Sequence, residues 1–222
     1  MPLLDHFRSP NYEKAPWMSV ATFWMAHAVK GLNRRLLELD LQALIHMESV
    51  SNPEPRLDDC EEPGFDPPVV LPPRPLTQDE FEVRIALAGN WRQTVGVIAF
   101  VCPSNKDRAD AREHFLSKCH AYLGSEIGVV LIDTITSRRA NLSNELAAKF
   151  GTGGPQLADC HTYVSSFRPS PRDCNIPRLD VWAHPAEVGQ RIPSVPLPLA
   201  SGPPLMIDLE STYTEACADH GL

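Results

Sequence analysis

The run Cys102-Pro103-Ser104-Asn105-Lys106 closes an apolar stretch and opens a helical pattern, a place where phosphate could be held. Backbone N–H groups at a helix start point towards an anion, and a hydroxyl, an amide and an ammonium at successive positions would add side-chain donors. Ser104, Asn105 and Lys106 are therefore candidate binding residues, with plain helix capping as the alternative reading. Arg138 and Arg139 follow a buried strand and could grip nucleic-acid phosphates or simply be solvated; Arg138 is kept as a binding candidate. Asp133 ends that strand and reads as an anchor for the next loop. Cys119-His120 and Cys160-His161 set thiol beside imidazole, but a Cys–His enzyme needs its pair to meet in space, which adjacency in sequence does not ensure. Six cysteines without a CxxC pair read as free thiols rather than as a redox motif or a zinc ribbon.

Something must position these residues, and 222 residues with 43% hydrophobic content can bury a sizeable core, with one domain as the default. No run approaches the roughly 18 apolar residues of a membrane span, and Met1-Pro2-Leu3-Leu4-Asp5-His6 lacks the layout of a signal peptide. A cytoplasmic protein with no membrane partner is expected. The net charge of -8 is uneven: residues 48–82 hold ten acids and two bases, whereas 1–47 and 83–149 together are slightly basic. An acidic total argues against nonspecific nucleic-acid binding but leaves room for a local phosphate site in the basic part.

Helical spacing of Val20, Phe23, Trp24, His27, Ala28, Gly31, Leu32 and Arg35 predicts a helix over 17–37, and 39–48 fits a first strand. Eight prolines and the acid excess disfavour regular structure over 50–78. Residues 81–85 alternate as a half-buried strand, Gly89-Asn90 turns the chain, and 94–102 is the near-continuous apolar run of a central strand. Ser104 and Asp107 resemble a capping box for a helix that reaches Leu123, and Gly124 stops it. Residues 128–133 then form a strand parallel to 94–102 through that crossover helix. Shorter elements are expected at 141–150 (helix), 161–167 and 179–183 (strands) and 208–217 (helix). Trp17, Trp24 and Tyr122 fit helix core faces better than base-stacking platforms. The fold class is α/β, a mixed central sheet flanked by helices.

The order helix, strand, strand, strand, helix, strand over 17–134 resembles the core of the restriction-endonuclease-like, or PD-(D/E)XK, superfamily. The segments Val101-Cys102-Pro103-Ser104-Asn105-Lys106-Asp107-Arg108, Lys118 with Tyr122, Gly128-Val129-Val130-Leu131-Ile132-Asp133, Thr136-Ser137-Arg138-Arg139-Ala140-Asn141-Leu142 and the tail from Ile207 to Cys217 are more specific. With Met1-Pro2-Leu3-Leu4-Asp5-His6-Phe7, they resemble a bacterial domain-of-unknown-function family linked to that superfamily. The resemblance implies a nuclease-like core over 17–134, an irregular Pro-rich acidic insertion at 50–78 and a C-terminal extension over 135–222, all in one domain.

Superfamily members hold a divalent metal with an Asp and a Glu on neighbouring strands, and a Lys positions or activates the attacking water. The resemblance places the Asp at Asp58, as metal ligand and catalytic residue, and the Lys at Lys118. The Glu position, two residues before Val101, is Ala99. Glu and His of the relatives' first helix are replaced by Met18 and Ala21. These losses imply a degenerate, non-catalytic module that binds a partner or nucleic acid, without Mg²⁺ unless the metal site survives. The alternative is an active Mg²⁺-dependent phosphodiesterase in which Glu82 or Glu48 replaces the missing Glu. A third class is a structural interaction protein that uses the acidic stretch and the Pro-rich tail.

Lys118 also has a physical argument. Ala111, Phe115, Lys118 and Tyr122 share one side of the helix, so Lys118 borders the apolar stripe. Either its ammonium snorkels to water, or it reaches the sheet beside Ala99, near Asp58 or Glu82.

Overall fold

The computed structural model describes residues 1–48, 80–151, 160–173 and 176–222. In chain order the elements are α1 (Asn11–Lys14), α2 (Trp17–Leu36), a 3-10 turn (Leu37–Leu39), β1 (Leu41–Glu48), β2 (Glu80–Leu87) and β3 (Asn90–Phe100). They continue with α3 (Pro103–Asp107), α4 (Ala109–Gly124), β4 (Gly128–Asp133), α5 (Leu142–Ala148), β5 (Tyr163–Asp173) and β6 (Ile176–Pro185). A small strand pair, β7 (Val195–Leu197) and β8 (Leu205–Ile207), and helix α6 (Leu209–Asp219) complete the described chain.

Among the described residues six strands form one mixed sheet in the order β1-β2-β3-β4-β5-β6, so the expected α/β class holds. The continuous apolar runs of β3 and β4 pair in parallel from Gly96↔Gly128 to Phe100↔Ile132, and every other neighbouring pair is antiparallel. A parallel pair needs a crossover, which here is helical as expected, although the helix is broken. Arg108 is extended (φ -129°, ψ 156°) and separates α3 from α4. The cap also differs from the expected Ser104–Asp107 box. Pro103 starts the helix, and Asn105 Oδ1 accepts the Cys102 N–H at 2.7 Å.

Alternation along β2 decides what each sheet face carries. Phe81, Val83 and Ile85 turn towards α2, where Trp17 meets Phe81 edge-on at 6.1 Å. Glu80, Glu82 and Arg84 turn to the other face, which α4 and α5 cover. Helix α6 packs on α2, tied by the Trp24 indole N–H to Thr212 Oγ1 at 3.0 Å, and Trp24 sits against Phe100 and Tyr213. The stripe on α2 runs through Val20, Ala21, Trp24, Met25, Ala28, Leu32 and Leu36, whereas Phe23 is 41% exposed. The chain after Asp133 supplies two of the six strands as well as α6.

Among the described residues β1 is an edge strand, and Asn33 blunts it by accepting the Ala43 N–H at 2.6 Å and donating to the Ala43 carbonyl at 3.1 Å. At the middle of the sheet, Gly96 and Gly128 let the chain at Pro198 lie directly on the strands. A Cβ on Gly128 would stand 2.5 Å from the Pro198 carbonyl oxygen. Gly128→Ala is therefore expected to destabilise the protein by about 1–3 kcal/mol, read as a lower urea midpoint; an unchanged midpoint would contradict this packing. The expected irregular insertion at 50–78 lies outside the described residues. Among the described residues no helix is long and apolar enough to cross a membrane.

Candidate functional site

Three charges at alternate positions of β2 face α4, and that helix answers with Lys118. Its Nζ lies 2.7 Å from Glu82 Oε1 and 3.0 Å from Glu80 Oε1, its side chain 18% exposed against 1% for Glu82. Arg84 Nε donates to Glu82 Oε2 at 2.9 Å, and the Tyr122 hydroxyl donates to the same oxygen at 3.1 Å. His46 is the β1 partner of Glu82 in register, and its Nε2 is 3.9 Å from Glu80 Oε2. Glu82 is in turn the register partner of Ala99. Lys118 therefore reaches the sheet beside Ala99 and does not snorkel, while Ala99 offers only a buried methyl group.

Burial pushes the Glu82 carboxyl up, but the Lys118 and Arg84 charges outweigh it and hold Glu82 below the ordinary glutamate value. Burial likewise works against the Lys118 ammonium, and Glu82 and Glu80 more than compensate, so its pKa is raised. A lysine held in this way stays charged at neutral pH and cannot take a proton from water. The Tyr122 hydroxyl is pushed up by burial and then by Glu82, so it serves as a donor.

His46, Glu80 and Glu82 each offer a ligand atom, all within 4.8 Å of one another. The set fits a divalent cation only if the Lys118 ammonium moves away, since it already bridges both carboxylates. Of the residues expected at the site, Glu82 and Lys118 are brought together, and Asp58 lies outside the described residues. Glu48 is the register partner of Glu80. Met18 and Ala21 sit on α2, across the sheet from α4, so of Met18, Ala21 and Ala99 only Ala99 is on the Lys118 face. His46 and Glu80 were not singled out from the sequence; the alternation of Glu80, Glu82 and Arg84 around Phe81 and Val83 was the available signal.

The phosphate-binding reading of Ser104, Asn105 and Lys106 is corrected. Lys106 is wholly buried, its ammonium 2.9 Å from Asp133 Oδ2 and 2.9 Å from the His161 carbonyl. Asn105 is buried and caps Cys102, and the Ser104 hydroxyl, in the five-residue α3, is itself buried, with no hydrogen-bond partner among the described residues. Asp133 is the anchor expected of it, accepting the Ile135 N–H at 3.0 Å and bonded by the Tyr163 hydroxyl. Burial raises its pKa to about 6 against the pull of Lys106. Arg138 is exposed, pairs with Asp107 through Nε and donates to the Ser137 carbonyl through Nη1, so some of its donors are used within the chain. The Cys119 thiol, fully buried, is pushed up to about 12, and His120 stacks on Phe150, so neither prepares a nucleophile. Comparison with protein-family models, with curated protein sequences and with solved structures finds no match, so the functional reading rests on this geometry.

Proposed function

We propose that the chain is a degenerate nuclease-like domain that has lost metal-dependent catalysis and acts as a binding module. The observation that carries this reading is the Lys118 ammonium, which bridges Glu80 and Glu82 opposite a methyl group at Ala99. Mg²⁺ is held through one or two protein carboxylates, whose oxygens must be free to join waters in its octahedron. Here two carboxylates are committed to an ammonium and a guanidinium, and breaking a buried pair leaves an uncompensated charge. The internal cation thus does the electrostatic work that a metal would do in an active relative. The partner fits a nucleic acid or protein met through a local basic surface, since the overall charge of -8 disfavours nonspecific phosphate contacts. Cysteines buried as free thiols suit a cytoplasmic setting.

The purified protein is expected to leave plasmid DNA and RNA intact with Mg²⁺ or Mn²⁺. Cleavage abolished by Glu82→Gln would overturn the reading. Ala99→Glu restores a carboxylate beside Glu82 and is expected to give Mn²⁺-dependent thermal stabilisation that the parent protein lacks.

A second reading is favoured by the proximity of His46, Glu80 and Glu82. In it the protein is a metal-dependent phosphodiesterase whose missing strand carboxylate is replaced by Glu82, with Lys118 displaced on metal entry.

A further inference from the structure

On the sheet face opposite Glu82, helices α2 and α6 border a cleft of about 280 Å³. Lys30, Arg34 and Arg35 line it from α2, and Lys30 and Arg34, at i and i+4, share one side of the helix. Gly31 lies among them and keeps the floor open, because a Cβ there would meet only Thr212 Cγ2, at 3.9 Å. Two acids, Asp208 and Glu215, also border the cleft against the three cations, each with a contact of its own. Asp208 accepts the Ser211 N–H at 3.0 Å as the N-cap of α6, and Glu215 lies 2.8 Å from His27 Nδ1. His27 Nε2 meets Asp219 at 2.7 Å on its other side. Arg35 donates to the Met206 carbonyl, whereas Lys30 and Arg34 have no acidic partner among the described residues.

Cations in the last turn of a helix complement its dipole, which would account for Arg34 and Arg35. It accounts neither for Lys30, a turn earlier, nor for the space the three enclose. We propose that this cleft binds a small phosphate monoester. Lys30 and Arg34 meet the dianionic phosphate, guanidinium forks being suited to phosphate oxygens, and the exposed Ser211 hydroxyl adds a donor. The cleft is larger than a phosphate ion, which leaves room for the organic part. The site is independent of catalysis at Glu82, and its failure would leave the reading of that cluster untouched.

The test is calorimetric titration of the full chain at low ionic strength with AMP, with adenosine and with inorganic phosphate. AMP is expected to bind saturably at one site, phosphate to compete with it, and adenosine not to bind. Lys30→Gln with Arg34→Gln should weaken AMP by at least about tenfold, since each removes a charge-assisted contact. Both side chains are exposed and have no acidic partner among the described residues, so circular dichroism and melting should match the parent. Arg139→Gln, an exposed cation elsewhere, should bind AMP normally. Absence of saturable AMP binding, equal binding of adenosine, failure of phosphate to compete, or a double variant as tight as the parent would each overturn the proposal.

Discussion

Lys106→Met is expected to destabilise the protein by about 3–5 kcal/mol at neutral pH, enough to unfold much of a marginally stable domain. Both side chains of the Lys106–Asp133 pair are 0% exposed, so removing the ammonium strands a carboxylate with no route to water. The pH dependence has a definite sign. Asp133 has a folded pKa raised from 3.8 to about 6, so its favourable contribution is complete below the unfolded value and is lost as pH rises through the folded one. Without Lys106 the folded pKa climbs further, and the variant should recover part of its loss on acidification from about pH 7.5 to about pH 5. Urea denaturation at the two pH values measures this. Asp133→Asn added to Lys106→Met should restore stability at neutral pH, and a loss that is equal at both pH values would contradict the account.

Lys118→Met should cost about 2–3 kcal/mol, less than Lys106→Met because Glu82 keeps Arg84 and Tyr122 and because Lys118 is partly exposed. In the parent, Glu82 titrates below 4.5, so its contribution is present above that value and fades as pH falls through the folded pKa. Burial is the largest influence on this carboxyl. Once Lys118 is gone burial prevails, the folded pKa rises, and the variant loses stability as pH rises. The gap between parent and variant should therefore narrow in acid. A double-mutant cycle with Glu82→Gln should give a coupling of at least about 1 kcal/mol, and additive losses would show that the contact contributes nothing.

The sequence made the centre of this fold readable and hid its charged interior. Strands buried on both faces carry uninterrupted apolar runs, so β3, β4 and their crossover could be found from Val95 to Phe100 and Gly128 to Asp133 without a partner in view. β5 and β6 were longer than expected because Pro169 and Pro171 argue against a strand. β5 pairs with β4 only from Tyr163 to Phe167, so those prolines fall where just one neighbour remains and a missing N–H costs little. Lys106 was misplaced for a different reason. A lysine near a helix start reads as a phosphate-binding or capping-region group, and its burial depends on Asp133, 27 positions away, which no local pattern reports. Lys118 was legible because its place beside an apolar stripe demanded either an outlet or a partner. Glu80 was absorbed into the acid excess of 48–82, although its spacing from Glu82 and Arg84 already aimed three charges at one face.

In the function proposed for this chain, the ammonium of Lys118 stands in for a metal ion between Glu80 and Glu82. Calorimetric titration of the full chain with Mn²⁺ at neutral pH tests it most directly. No saturable binding tighter than about 1 mM is expected, because the ion must displace a bridging ammonium to reach a three-ligand site. One-to-one Mn²⁺ binding at micromolar affinity, lost in both His46→Ala and Glu82→Gln, would contradict it.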